Sequence, residues 1–188
     1  MEIKIGVSAR HVHLTDEDFK ILYGEGCSLT KAKDLTQLGE FACNELVNII
    51  TEKGMIEDVR ILGPFRKYTQ VEISKTDSYT LGLKPPVRES GDLEGAELII
   101  IEHDGKHIIR PCCIIADRHI HINSDEMNNR KLYDGEIVKL KLSGEKGGVL
   151  DNVKVKASDT YVFEAHIDLD DANAHLVKTG DIGEIINE

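Results

Sequence analysis

A short motif that occurs twice constrains the fold of this chain more than any other feature. The segment Arg10–Leu14 reads Arg-His-Val-His-Leu, the segment Arg118–Ile122 reads Arg-His-Ile-His-Ile, and an acidic stretch follows each copy. A β-branched residue between two histidines is typical of a strand, where side chains two positions apart project from one face. Each copy therefore predicts two neighbouring imidazoles that can bind one metal ion. A single copy is more often a chance occurrence or two half-exposed strand histidines, but the duplication favours a pair of related sites.

The rest of the chain reads as many short strands with turns about every 8–12 residues and a few short helices, a pattern that favours small barrels. We predict a helix over Asp16–Tyr23 with a capping box at Thr15 and Asp18. The final strand is predicted over Tyr161–Ile167 and a helix over Asp170–Val177. Because the motif repeats near half the chain length, the predicted fold class is mainly β: two small β-barrels related by an internal repeat and capped by short α-helices. We expect the chemistry to lie between the barrels.

Composition excludes several classes of protein. A net charge of −11, 5% aromatic residues and the absence of Trp argue against a nucleic-acid partner, because phosphate contacts need clustered Lys and Arg. No apolar run approaches the roughly 20 residues that span a bilayer, and the N-terminus lacks a signal-peptide core. The four cysteines form no Cys-x-x-Cys pair. Reduced thiols in a cytoplasmic protein are therefore expected, with no membrane partner.

Two further residues are candidates to complete metal sites around the histidine pairs. His166 lies in an apolar strand pattern, and Glu72 lies among β-branched strand residues. A buried Glu is seldom left unpaired, so a metal or an Arg partner is expected for it. The remaining histidines occur in polar contexts where solvent exposure is expected; they are His103, His107 and His175.

Arg66 is a candidate phosphate-binding residue. It follows Gly63-Pro64-Phe65, and glycine lets backbone approach a ligand that a guanidinium can bind in bidentate fashion. The alternative is a solvated basic turn. The adjacent Cys112 and Cys113 could act as a nucleophile, but their apolar flanks favour packing in the core.

Four segments, in the same order along essentially the whole chain, resemble the PduL-type phosphotransacylases, the phosphate propanoyltransferase family. They are Val7–Leu14, Leu62–Glu72, Ser90–Leu93 and Arg118–His121. The resemblance implies a pair of β-barrels capped by short helices, with the N-terminal strand completing the C-terminal barrel. The first barrel would then comprise residues 1–9 with 117–188, and the second residues 10–116.

The resemblance also implies an activity, namely transfer of a short acyl group (propanoyl or acetyl) between coenzyme A and inorganic phosphate at a two-zinc site. His11, His13 and Glu72 would hold the Zn²⁺ that takes the CoA sulfur. The other Zn²⁺ would be held by His119, His121 and His166, and Arg66 would bind phosphate. The residues that correspond to the family's CoA contacts are Val7, Ser8, Ala9, Arg60 and Asn173.

Two other functions stay open at the level of sequence: a dinuclear zinc hydrolase acting on a thioester or similar acyl compound, and a two-barrel module with structural zinc. The chain begins directly at the first strand, without the amphipathic extension that sends some family members into bacterial microcompartments. A free cytoplasmic enzyme is therefore expected. Acyl-CoA, acyl phosphate and phosphate are the expected partners, and the resemblance makes a homodimer plausible.

Overall fold

A computed structural model describes residues 1–186 and shows a mainly β protein with short helices. The predicted end of the first barrel, at residues 187–188, lies outside the described residues. The strands of the described chain are β1 Glu2–Ser8, β2 His11–His13, β3 Lys31–Asp34, β4 Phe41–Ile50, β5 Met55–Gly63, β6 Gln70–Glu72, β7 Val87–Arg88, β8 Glu97–His103, β9 Lys106–Ala116, β10 His119–Ile122, β11 Ile137–Leu142, β12 Gly148–Ala157, β13 Glu164–Asp168 and β14 Ile182–Ile186. The helices of the same residues are α1 Asp16–Tyr23, α2 Lys75–Leu81, α3 Ser124–Arg130 and α4 Leu169–His175.

The chain divides into two compact units, each with its own core. Unit 1 contains residues 1–9 and the chain from Asp117 onward, whereas unit 2 contains Arg10–Ala116. Unit 1 is a closed barrel with strand order β1-β13-β10-β12-β11-β14. Its interior is built from alternating aliphatic residues such as Ile3, Ile5, Ile120 and Ile122, all 2% exposed or less, as the period of two in a strand requires.

Unit 2 closes in the same way. Its sheet runs β4-β5-β2-β6-β9, and β8 pairs with both β4 and β9, so the ring of six strands has no open edge. In each ring the His-x-His strand (β2 or β10) has an antiparallel neighbour (β6 or β13). The mainly β fold with two barrels and short helices is thus confirmed.

The helices begin at the capping residues that the sequence supplies. Thr15 accepts a hydrogen bond from Asp18 N at the start of α1, as predicted, and Gly24 ends that helix. The Asp18 carboxylate, predicted as the other half of a capping box, accepts hydrogen bonds from Thr69 and Arg110. The helix α2 carries a complete capping box between Ser74 and Asp77. None of the described helices is long and apolar enough to cross a membrane.

Several strands differ from the sequence-based prediction. The strand predicted to be the last one is followed by β14, which pairs with β1 and β11 and closes unit 1. Its segment Ile182–Ile186 is short and follows a loop, so the local sequence pattern did not predict a strand there. The strand β9 is one continuous element through Pro111. The register between β8 and β9 shifts beside Pro111, and such an irregularity accommodates a proline within a sheet.

Candidate metal centres

The first candidate centre is the His-His-Glu triad of unit 2, formed by His11, His13 and Glu72. One potential ligand atom from each side chain lies within 4.8 Å of the other two. The antiparallel pairing of β2 with β6 places His11 directly opposite Glu72, with 3.4 Å between His11 Nε2 and Glu72 Oε2. The three residues are 7%, 3% and 9% exposed. Buried polar groups need partners, and within the triad His11 and Glu72 contact each other.

The surroundings of His13 favour its neutral form. Burial lowers the pKa of His13 well below its usual value, and the nearby His11 and Arg66 lower it further. The ring is therefore neutral at pH 7, which is the form that binds a metal. His13 Nδ1 lies 3.2 Å from the Leu62 carbonyl oxygen, which can only accept. This contact assigns the proton to Nδ1 and leaves the lone pair on Nε2.

The second candidate centre is the three-histidine triad of unit 1, formed by His119, His121 and His166. β10 and β13 are antiparallel, and His119 lies opposite His166, the same register as His11 and Glu72. The ring centroids are 4.5–5.0 Å apart. His119 Nδ1 lies 2.9 Å from the Asp117 carbonyl oxygen, which again puts the proton on Nδ1 and the lone pair on Nε2.

A buried carboxylate and a glycine support the three-histidine triad. Glu164, 4% exposed, places Oε2 at 3.2 Å from His166 Nε2. On the neighbouring strand Gly6 lies opposite His166, and a Cβ at Gly6 would come within 3.0 Å of Glu164 Oε2. A carboxylate bonded to a ligand histidine fixes the ring orientation and raises its basicity.

Both triads fit a divalent metal ion such as Zn²⁺. Three nitrogens, or two nitrogens and a carboxylate oxygen, are the donor sets of reactive zinc sites, which keep a further position open for a reactant. The donor atoms within each triad are already gathered within 4.8 Å. They lie on paired strands of a closed barrel, so their spacing is set by the sheet and not by a mobile loop.

A chain of polar contacts extends from the His-His-Glu triad to Arg66. Gln70 Nε2 donates to Glu72 Oε1 at 2.6 Å and contacts Ser90 Oγ at 2.9 Å. Arg66 Nη1 donates to the same Ser90 oxygen at 2.9 Å, and Arg66 Nη2 donates to Glu40 Oε1 at 3.0 Å. The Arg66 side chain is 23% exposed. The guanidinium is therefore held in one orientation and remains partly accessible.

The residues expected to contact CoA lie in both units. In unit 1, Val7 and Ser8 end β1 opposite Ile167 and Asp168, and Val7 N donates to Thr179 Oγ1. Ala9 follows as an exposed residue, and Asn173 is exposed on α4. In unit 2, Arg60 lies opposite His11 in the β2–β5 pair and donates to the Cys43 carbonyl oxygen at 2.7 Å.

Sequence reasoning missed the second layer of residues around the triads. Gln70 and Glu164 each precede the third ligand by two positions and contact it, a signal that the i, i+2 rule for strands could have supplied. Lys156, opposite His121 in the β10–β12 pair, has a largely buried ammonium group 3.1 Å from Asp117 Oδ1. A mostly buried Lys beside a histidine cluster has no sequence signature.

The other histidines and the cysteines lie apart from both triads. His107 is exposed as expected. By contrast, His103 stacks on Tyr23 with 3.9 Å between ring centroids, and His175 Nδ1 donates to the Lys146 carbonyl oxygen at 2.9 Å, so both are half-buried. Cys112 and Cys113 are buried in the core of unit 2. Burial raises the pKa of Cys112 to about 12 and raises that of Cys113 further, which suits core packing and not a nucleophile.

Comparison with known proteins identifies the family. The family model described as phosphate propanoyltransferase matches residues 4–178. A phosphate propanoyltransferase of Thermotoga maritima is 46% identical over 98% of this chain and 89% of its own length. The phosphate propanoyltransferase of Clostridioides difficile is 44% identical over 99% and 90%, and that of Priestia megaterium 46% identical over 96% and 84%. With this coverage and identity, the chain belongs to the phosphate propanoyltransferase family of enzymes.

Proposed function

We propose that this enzyme transfers a propanoyl or other short acyl group between coenzyme A and inorganic phosphate, in the reaction acyl-CoA + phosphate = acyl phosphate + CoA. The observation that carries the proposal is the pairing of a full-length family match with two buried, register-matched triads of metal-ligand type. Each copy of the His-x-His motif would then supply two ligands of one metal site.

Each triad would hold one Zn²⁺, with His11, His13 and Glu72 as one ligand set and His119, His121 and His166 as the other. Zinc bound there would supply Lewis acidity, which lowers the pKa of a thiol and stabilises negative charge on it. The protein's part is to keep the imidazoles neutral and correctly oriented. Burial does the first for His13, and the carbonyls of Leu62 and Asp117 do the second for His13 and His119.

Arg66 would bind the phosphate. A guanidinium recognises phosphate oxygens through parallel N–H donors, and Glu40 and Ser90 fix the plane of this one. The same Ser90 contacts Gln70, which bonds to Glu72. A phosphate at Arg66 would therefore be coupled by a short polar chain to the carboxylate of the His-His-Glu triad.

Val7, Ser8, Ala9, Arg60 and Asn173 are proposed to contact CoA. Val7, Ser8 and Ala9 lie where β1 ends, and Arg60 offers a cation for the acidic nucleotide part of CoA.

The chemistry balances without a covalent enzyme intermediate. An oxygen of the bound hydrogen phosphate attacks the thioester carbonyl, a C–O bond forms, and the C–S bond breaks with its electron pair leaving on the CoA sulfur. The proton of the hydrogen phosphate passes to solvent, and the CoA thiolate takes up one proton when it is released. The carbonyl oxygen carries negative charge at the tetrahedral stage, and the positive charge of Arg66 near the phosphate stabilises it. Holding both reactants in place removes part of the entropic barrier of a bimolecular step.

The test is an assay of thioester cleavage with and without phosphate. Purified protein loaded with zinc is given acetyl-, propanoyl- or butanoyl-CoA, while released thiol and acyl phosphate are measured separately. We expect CoA release to require phosphate and to match acyl phosphate formation mole for mole. Equal CoA release in phosphate-free buffer, with free acid as product, would overturn the proposal and indicate a thioester hydrolase.

A further inference from the structure

The arginine that opens each Arg-His-x-His motif has no place in either ligand set, although the motif repeats it. Arg10 and Arg118 each come directly before the first ligand histidine. Both arginines lie just outside β2 and β10, the strands that carry the histidine pairs. Their side chains contact aspartates outside the triads.

Both arginines bind the helix that follows the third ligand. Arg10 Nε and Nη2 lie 3.0 and 2.9 Å from Asp77 Oδ1. Arg118 Nε and Nη2 donate to the two oxygens of Asp171 at 2.6 and 2.7 Å. The aspartate side chains are only 7% and 18% exposed.

The spacing of these partners is the same in both units. Asp77 comes five residues after Glu72, and Asp171 comes five residues after His166. Each aspartate is the third residue of its helix, and its backbone N–H donates to the side chain of the N-cap residue. That N-cap residue lies two positions after the third ligand. The N-caps are Ser74 and Asp168.

We propose that Arg10 and Arg118 are positioning residues, and that the Arg10–Asp77 and Arg118–Asp171 pairs, here called the Arg-Asp clamps, set the distance between the His-x-His strand and the third ligand. Each clamp starts one residue before a ligand histidine and ends in the helix joined to the third ligand by a two-residue link. Strand pairing and clamp together hold the ligand-bearing segments at two points. The inference rests on the proposed metal-binding role of the triads.

The contacts distinguish the clamps from ordinary surface ion pairs. Exposed pairs contribute little because solvent screens them, whereas the buried Asp77 receives two guanidinium contacts and also the Ser74 N–H at 3.1 Å. Unit 2 offers a matched comparison in Arg110, which binds Asp18 at 2.6 and 3.2 Å. Asp18 is 6% exposed, but this pair joins α1 to β9, and Thr69, which also donates to Asp18, lies outside β2 and β6.

The experiment compares R10Q with R110Q in a background that carries H119A and H121A, so that only the His-His-Glu triad binds metal. Zinc affinity is measured by chelator competition, the Co²⁺-loaded protein supplies a visible spectrum that reports ligand geometry, and urea unfolding reports stability. We expect both variants to lose stability, since each leaves a buried carboxylate without its cation. R10Q alone should weaken zinc binding, by about 10–100-fold, and alter the Co²⁺ spectrum.

R10K keeps the charge and should recover part of the lost affinity. If R10Q does not fold, D77N replaces it. A second replacement lies in the other unit: R118K in an H11A/H13A background, with R130Q as its control. Zinc affinity that falls equally in R10Q and R110Q, or in neither, overturns the clamp. A parent protein that folds but takes up no zinc or cobalt overturns the proposed metal sites themselves, which separates the two failures.

Discussion

Gly6→Ala tests how closely β1 supports the three-histidine triad. The added Cβ would lie 3.0 Å from Glu164 Oε2, 3.1 Å from Glu164 Cδ and 3.4 Å from His166 Cε1. The first two distances are shorter than ordinary van der Waals contacts, so the carboxylate must move by a few tenths of an ångström. Glu164 is 4% exposed and has little room. We expect this overpacking to lower the free energy of unfolding by about 1–3 kcal/mol.

The displacement should reach the proposed metal site because Glu164 Oε2 is 3.2 Å from His166 Nε2. Disturbing a group that orients a ligand typically weakens metal binding by about 10–100-fold. The assay is zinc competition against a chromogenic chelator in protein that also carries H11A and H13A, which leaves only the three-histidine triad. Urea unfolding of the same samples gives the stability.

Gly183→Ala is the matched control in the same barrel. Its Cβ would lie 2.9 Å from Leu140 Cδ1 and 3.3 Å from the Lys141 carbonyl oxygen, so it crowds the apolar core and not the triad. We expect a similar loss of stability with unchanged zinc affinity. If both substitutions weaken zinc binding alike, or neither does, the reasoning from Gly6 is refuted.

Four further outcomes are expected. Arg66→Ala should slow the phosphate-dependent step by about 100-fold or more with metal content near normal, and metal loss measured in that variant would assign Arg66 a structural role. Gly63→Ala puts a Cβ 2.4 Å from the Phe41 ring and should raise the KM for phosphate by shifting the loop that carries Arg66; an unchanged KM would contradict this. Iodoacetamide near pH 7 should label exposed Cys27 quickly, and buried Cys43, Cys112 and Cys113 only after unfolding. Alkylation needs the thiolate, and burial raises the pKa of Cys43 to about 11 and that of Cys112 to about 12. Peptide mass spectrometry counts the labels. Cys112→Ser and Cys113→Ser should each retain turnover, whereas abolished turnover in folded protein would restore the nucleophile hypothesis.

Local chemistry made the histidine pairs and the helix starts predictable. The alternation in His11-Val12-His13 indicates a strand without reference to the rest of the chain, and Thr15 marks the start of α1. The grouping of Glu72 with His11 and of His166 with His119 depends on register between distant strands. Residues alone offered Glu72 and His166 only as candidates, and the resemblance to a family assigned them to their triads.

What the sequence could not predict are contacts decided by tertiary packing. The strand β14 has too short a pattern to be recognised, and it forms because β1 and β11 offer edges for it. The partners of Arg10 and Arg118 lie 67 and 53 positions away. Only the folded chain shows that each arginine contacts an aspartate in the helix that follows the third ligand of its own unit.

The central claim is that the doubled motif builds two metal centres, and metal stoichiometry tests it most directly. Elemental analysis of protein dialysed after zinc loading should give about two ions per chain for the wild type and about one for H11A/H13A or H119A/H121A, as two independent three-ligand sites require. The variant with all four changes should retain none while its strands still form, as judged by circular dichroism. A wild type without bound metal, or a zinc content that the four substitutions leave unchanged, would contradict the account.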